Sequence, residues 1–325
     1  MIDSHVETIV DRSIEGQAPS REEILALMKL EVGSAEAAYV RWAADVLGRR
    51  ASSNTGQIYA QIGLDATPCP ENCAFCSLAA RNASNEGRAE VPDGEIARYA
   101  KVFDEAGVHL ISLMATAAYN FEHFLRIVAT VRDAIADDMP LMANIGDITF
   151  DQARQLKAAG IQAIYHAHRL GEGTITGIAP EQRLATIASA QKAGLALMTA
   201  VEPIYQGIPL EDIADRMLEV ISQKPYCSGV GVLTAVPGTT MANETPYTRR
   251  QAAYFASIMR LAAGTSIPFG TGCGNVIWVD AGTNPRGRDL STDPGYLQRD
   301  IARLRRDLIR QEWDVPARPL PRWFH

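Results

Sequence analysis

Residues 150–168 read FDQARQLKAAGIQAIYHAH, and their interpretation sets the fold. A helical stretch closes on Ala159-Gly160, where glycine supplies the left-handed conformation that ends a helix. An apolar run follows at once, without the strict alternation of a half-exposed strand, so it suits a strand covered on both faces. The same signature recurs at Ala106-Gly107 before VHLISLMA, Ala193-Gly194 before LALMTAVEP and Ala263-Gly264 before TSIPFG. Gly160 and Gly194 lie one βα unit apart, about 35 residues.

Working outward, strands are expected near 57–66, 108–115, 139–145, 161–167, 195–202, 228–236 and 275–280, with a short one at 266–270. Helices are expected near 93–106, 120–136, 149–159, 180–193, 209–222 and 246–263. The fold class is therefore α/β, a (βα)8-like TIM-type barrel. One unit is abbreviated. Only residues 271–274 separate SIPFG from NVIWVD, too few for the usual parallel crossover. An open doubly wound sheet is the alternative.

The barrel is expected over 51–290, after an N-terminal helical segment at 1–50 and before a C-terminal helix and tail at 291–325. Ser20 and Glu23 form a capping box ahead of Ile24, Leu27 and Met28. Ser34 caps a second helix with Val40, Ala43, Val46 and Leu47 on its inner face. Near 294–311, Leu297, Ile301, Leu304 and Leu308 make one apolar stripe.

The chain has 325 residues, 47% of them hydrophobic and 21% charged, an ordinary globular balance. A net charge of −7 argues against sequence-independent nucleic-acid binding. The polar, acidic start lacks the pattern of a signal peptide, and no apolar run nears the ~20 residues of a membrane span. A cytoplasmic protein is expected. Five cysteines, three of them clustered, do not read as a secreted disulfide framework.

The chemistry concentrates in Thr67-Pro-Cys69-Pro-Glu-Asn-Cys73-Ala-Phe75-Cys76. Thiolates are the preferred ligands of iron–sulfur clusters. Three on one loop leave the fourth iron of a [4Fe–4S] cube open to a small molecule. The loop also follows the first strand, at the C-terminal mouth where barrel active sites sit. The competing reading is zinc, which usually takes four protein ligands, often as paired C-x2-C elements. Cys227, at a strand start, reads as a small buried hydrophobe. Cys273 lies in the abbreviated region.

C-x3-C-x2-C after the first strand, with an aromatic before the third cysteine, resembles the radical S-adenosylmethionine superfamily. CPENCAFC is similar to the cluster loop of its biotin synthase-like group. The resemblance covers roughly residues 55–285 and implies a [4Fe–4S] cluster, S-adenosylmethionine (SAM) and a low-potential electron donor such as a flavodoxin or ferredoxin. It places Cys69, Cys73 and Cys76 on the cluster and Phe75 near the adenine. By position, Met114 and Thr116 fall on the backbone edge that meets the methionine amine. Glu172 becomes a contact for ribose or amine, Arg183 a partner of the methionine carboxylate, and Glu202 a contact for ribose or substrate. His166 and His168, on one face of the fourth strand, and Arg286 and Arg288, after the last strand, are candidate substrate contacts. Packed histidines and solvated arginines are the plain alternatives.

Biotin synthase carries a second, smaller cluster on barrel-strand cysteines. The matching positions here hold Ser112 or Leu113, Met142 and Met198. The resemblance thus points toward the enzymes of [FeFe]-hydrogenase maturation and methylornithine synthesis. It implies a 5′-deoxyadenosyl radical that abstracts hydrogen from a small molecule, in cofactor biosynthesis. A sulfur-inserting enzyme of the biotin or lipoyl synthase type, with an atypical second cluster at Cys227 or Cys273, remains an alternative. So does a non-catalytic iron–sulfur scaffold.

Overall fold

A computed structural model describes residues 2–82, 90–271, 274–283 and 293–319. Three helices come first, α1 (Ser4–Ile14), α2 (Arg21–Met28) and α3 (Ala35–Ser52). The alternating part runs β1 (Gln57–Gly63), α4 (Asp93–Glu105), β2 (Leu110–Met114), α5 (Phe121–Arg132), β3 (Leu141–Asn144), α6 (Phe150–Ala158), β4 (Ala163–Tyr165), α7 (Pro180–Lys192) and β5 (Ala196–Met198). It continues β6 (Val201–Ile204), α8 (Leu210–Ser222), β7 (Cys227–Val232), α9 (Arg249–Ala263), β8 (Phe269–Thr271) and β9 (Val276–Gly282), and ends in α10 (Pro294–Arg310). This is the TIM-type (βα)8-like barrel fold class.

The chain divides into two compact units. The larger comprises Gln57–Met198, Thr234–Asn243 and Ile277–His325. Its strands lie in the order β5-β4-β3-β2-β1-β9, and β1 to β5 pair in parallel. One sheet face carries Ile58, Ala60, Ile62, Ile111, Leu113, Leu141, Ala143, Ile164, Leu197, Val279 and Ala281, all buried in one apolar core. The stripe Leu297, Ile301, Leu304 and Leu308 of α10 joins that core, as its spacing predicts. The opposite face takes the alternate residues, among them Gln61, Ser112, Met142, Asn144 and Asp280, because side chains of a strand alternate. His109 fastens the C-terminal tail to this unit. Its Nδ1 accepts from the Ile58 amide at 2.8 Å, and its Nε2 lies 2.8 Å from the Pro316 carbonyl.

The smaller unit comprises Met1–Gly56, Thr199–Leu233 and Glu244–Val276. It holds α1 to α3, α8, α9 and the parallel strands β6, β7 and β8. The capping box of Ser20 and Glu23 and the Ser34 cap form as expected. The abbreviated unit is also present. Only residues 272–275 lie between β8 and β9, which pair in parallel through Thr271 and Val276.

Three expectations change. The strand expected at 195–202 is two, β5 and β6, and Pro203 lies inside the second rather than ending the first. Proline has no amide hydrogen for the ladder, and the β6–β7 register is irregular between Val201 and Ile204. The fourth strand stops at Tyr165, so His166 and His168 follow it rather than share a strand face. The last strand continues to Gly282, two residues past its expected end.

Candidate active site

The cysteine loop belongs to the larger unit and is tied down by its own backbone. The Cys69 amide donates to Leu78 O at 2.7 Å, Ala80 N to Cys69 O at 2.9 Å, and Cys76 N to Cys73 O at 3.0 Å. Asn72 takes a positive φ of 48°, which its short polar side chain tolerates. Its Oδ1 accepts from the Arg81 amide at 2.8 Å. Asn82 points its Nδ2 into the loop, 3.0 Å from Cys76 O, 3.3 Å from Cys73 O and 3.4 Å from Ala74 O.

The loop after β4 braces the cysteine loop from another direction. Ala74 N donates to Ile175 O at 2.7 Å, and Gly177 N to Glu71 O at 2.8 Å. A Cβ on Gly177 would come within 2.9 Å of that Glu71 oxygen, so the position has room only for glycine.

All three thiols are unbonded and partly exposed. Burial pushes the Cys73 thiol up to about 12; the charge of Arg169 pulls the other way, while Cys76 and Cys69 reinforce the rise. Cys76 is also raised by burial, against backbone hydrogen bonds from Leu78 and Ala79. The three sulfurs therefore sense one another, and binding a metal must displace their protons. Among the described residues no three His, Cys, Asp or Glu side chains converge as one metal ion requires. A cubane makes a different demand, one thiolate on each of three irons. Three thiols spread along one pinned loop fit that donor set.

A buried polar network lies beside the loop. Arg183, in the first turn of α7, donates from Nε to Glu172 Oε1 at 3.0 Å, and its Nη1 is 3.3 Å from Asp147 Oδ2. Glu172 Oε2 accepts from the Arg169 amide at 2.7 Å. Asp147 also receives Thr186 Oγ1 at 2.9 Å and Gln182 Nε2 at 2.9 Å, and its Oδ1 is 2.8 Å from His166 Nε2. Burial works against the Asp147 charge, yet the hydrogen bond from His166 and the Arg183 cation prevail and hold it at about 2. Burial lowers the His166 ionisation, against the hydrogen bond to Asp147, and Nε2 also lies 3.2 Å from Arg183 Nη1.

A second hub is Asp65, wholly buried, which accepts from Thr116 and Thr67. On the sheet face away from the apolar core, Asn144 Nδ2 donates to Gln61 Oε1 and Gln61 Nε2 to Asp280 Oδ1, each at 3.3 Å. These side chains are half-buried, whereas their neighbours Ile62, Ala143 and Val279 are buried. That face therefore presents polar groups.

Of the residues expected at the site, the structure brings Cys69, Cys73, Cys76, Phe75, Met114, Thr116, Glu172, Arg183, His166 and His168 into the larger unit. Phe75 and His168 are half-buried; Met114 ends β2, Thr116 lies two residues beyond it, and both are buried. Glu172 and Arg183 are bonded to each other, and His166 belongs to their network. Glu202 lies on β6 in the smaller unit. Arg286, Arg288 and Cys273 fall outside the described residues. Asp65, Asn82, Asp147 and Gly177 escaped the sequence reading. Only Asp65 left a signal, an acid set directly against an apolar strand end.

No family profile matches the chain. It is 29% identical over 254 residues to the biotin synthase of Desulforudis audaxviator, covering 73% of this chain and 74% of that one. Biotin synthase 2 of Frankia casuarinae is 26% identical over 272 residues, 80% of this chain and 73% of that one. Of the Bordetella avium biotin synthase, 27% identical, the match spans 61%. Among solved structures, methylornithine synthase superposes with a TM-score of 0.79 at 17% identity, covering 96% of this chain and 97% of that one. The [FeFe]-hydrogenase maturase HydG of Carboxydothermus hydrogenoformans gives 0.75 at 15% identity, covering 96% and 79%. These two likenesses concern the fold. With the biotin synthase relatives and the three-cysteine loop, the chain is similar to the radical S-adenosylmethionine superfamily, and within it to the biotin synthase-like group.

Proposed function

We propose that this protein is an enzyme that reductively cleaves SAM at a [4Fe–4S] cluster and abstracts hydrogen from a small polar molecule, in cofactor biosynthesis. The observation that carries it is the confinement of three partly exposed thiols to one loop pinned on two sides. Cys69, Cys73 and Cys76 would hold the cluster. When bound, cluster and SAM together supply one electron and a cleavable carbon–sulfur bond, chemistry that belongs to the cofactor rather than the protein.

The chain's own residues position and shield. Asn82 and Gly177 hold the loop in shape. Phe75, Met114 and Thr116 are the proposed surroundings of SAM, with Glu172 and Arg183 fixing the loop between β4 and α7 beside it. Glu202 is kept as a ribose or substrate contact, and His168, Arg286 and Arg288 as substrate contacts. Gln61, Asn144 and Asp280 offer donors and acceptors to a polar substrate. A flavodoxin or ferredoxin in the cytoplasm would deliver the electron.

Sulfur insertion is the weaker reading. Ser112 and Met142 stand in register on β2 and β3, and Leu113 faces the apolar core, so the strand positions for a second cluster carry no thiol. No helix among the described residues is long and apolar enough to cross a membrane.

Anaerobic reconstitution tests the proposal. About four iron atoms per chain and 5′-deoxyadenosine formed from SAM with a strong reductant are expected, and Cys73→Ala loses both. Colourless protein that takes up zinc and no iron would overturn it, and iron-loaded protein that never cleaves SAM would leave a scaffold.

A further inference from the structure

Asp65 lies two residues beyond the end of β1 and is wholly buried. Burying a charge is costly unless hydrogen bonds answer it. Here Oδ1 accepts from the Thr116 amide at 2.8 Å; Oδ2 accepts from Thr116 Oγ1 at 2.7 Å and from the Thr67 amide at 3.2 Å. The Asp65 carbonyl accepts from Thr283 Oγ1 at 2.6 Å. One residue thus joins the root of the cysteine loop, the end of β2 and the end of β9, all within the larger unit.

Packing makes that junction tight. A Cβ on Gly63 would sit 2.0 Å from Thr283 O, and one on Gly282 would sit 2.3 Å from Gly63 O. Only glycines let β1 and β9 approach so closely that Thr283 reaches Asp65. The side-chain chemistry is equally selective. Three donors converge on one short side chain, and only a carboxylate accepts at both of its ends. An asparagine amide would turn N–H groups toward the Thr67 N–H. The arrangement therefore requires the acid, although an apolar residue would fill the same space at lower desolvation cost.

We infer that Asp65 is a positioning residue for SAM, locking the backbone at Ala115–Thr116 in a set relation to the cysteine loop. SAM would be held twice at its methionine end, by the backbone edge that follows β2 and by the metal that Cys69, Cys73 and Cys76 would carry. Those two elements must keep a fixed separation for both to engage the same amine and carboxylate. Asp65 spans them through Thr116 on one side and Thr67 on the other. This inference rests on the functional reading above.

The test uses the reconstituted full chain with SAM as the probe. For Asp65→Asn, iron stays at about four per chain, the SAM dissociation constant rises by about tenfold or more, and the SAM-induced change in the EPR spectrum of the reduced cluster weakens. Turnover at saturating SAM falls much less than affinity. In the unloaded protein, the Thr116 amide exchanges hydrogen faster. Thr116→Val reproduces the affinity loss and Thr116→Ser restores it, which keeps the test decisive if Asp65→Asn fails to fold. Unchanged SAM affinity in Asp65→Asn or in Thr116→Val, with wild-type protein binding SAM, overturns this inference alone. Loss of iron in both variants also overturns it, since Asp65 would then act on the cysteine loop only. Wild-type protein that holds iron but binds no SAM overturns the functional reading as well.

Discussion

Glu172 and Arg183 form a buried ion pair, Oε1 to Nε at 3.0 Å, with 0% of the glutamate side chain and 7% of the arginine side chain exposed. Each has further partners, the Arg169 amide for the acid and Asp147 for the base. The pair therefore fixes the course of the chain between β4 and α7, the stretch that also braces the cysteine loop through Ile175 and Gly177.

Removing Arg183 withdraws the bonded cation from the buried Glu172 carboxylate, which keeps the Arg169 amide, and from Asp147. Arg183→Met is expected to lower stability by about 3–5 kcal/mol. Arg183→Met with Glu172→Gln should lose clearly less than the two single losses combined. Urea denaturation of both singles and the double, read as a mutant cycle, measures the coupling; additive losses would show that the pair does not act as a unit.

Gly177→Ala forces a methyl group against Glu71 O, 2.9 Å from where its Cβ must stand. Overpacking of this kind costs about 1–3 kcal/mol, and here the strain falls on the cysteine loop. Iron retained per chain after reconstitution and desalting should drop, while the far-ultraviolet circular dichroism spectrum stays that of wild type. Full iron retention would show that the brace is dispensable.

Asn82→Asp replaces the amide donor that meets the carbonyls of Cys73, Ala74 and Cys76 with a second acceptor. Acceptors facing one another repel, so iron uptake should be impaired more than by Asn82→Ala, which merely withdraws the donor. Equal uptake in the two variants would rule out a hydrogen-bonding role.

His109 makes stability depend on pH. Burial pushes its ionisation down to about 4 from an ordinary value of 6.5, although its bond to Pro316 works the other way. Above pH 6.5 the ring is neutral in both states and its stabilisation is complete. As pH falls from 6.5 toward 4, the unfolded chain takes up a proton that the folded chain refuses, and stability declines. The loss is at most about 3 kcal/mol. His109→Gln should flatten that limb of the stability profile, measured by urea denaturation at several pH values; an unchanged slope would place it elsewhere.

Much of this molecule is determined by short stretches of sequence. The Ala-Gly helix ends and the Ser20 and Ser34 caps rest on interactions within one or two helical turns, and the apolar stripe of α10 and the three-cysteine motif are legible as spacings along the chain. Neighbouring residues alone dictate such features. Only tertiary structure decided that Asp65 would meet Thr116, 51 positions away, or that Asp147, His166, Glu172 and Arg183 would share one buried network. Those meetings follow from the parallel register of β1 to β4 and the placement of α7. Register is set by cooperative burial of the whole apolar face, which no local pattern encodes. For the same reason the break between β5 and β6 is not legible in the mostly apolar stretch 195–202, where Thr199 alone marks the place. Each half satisfies a strand's local preferences, and only the partners available to it divide them.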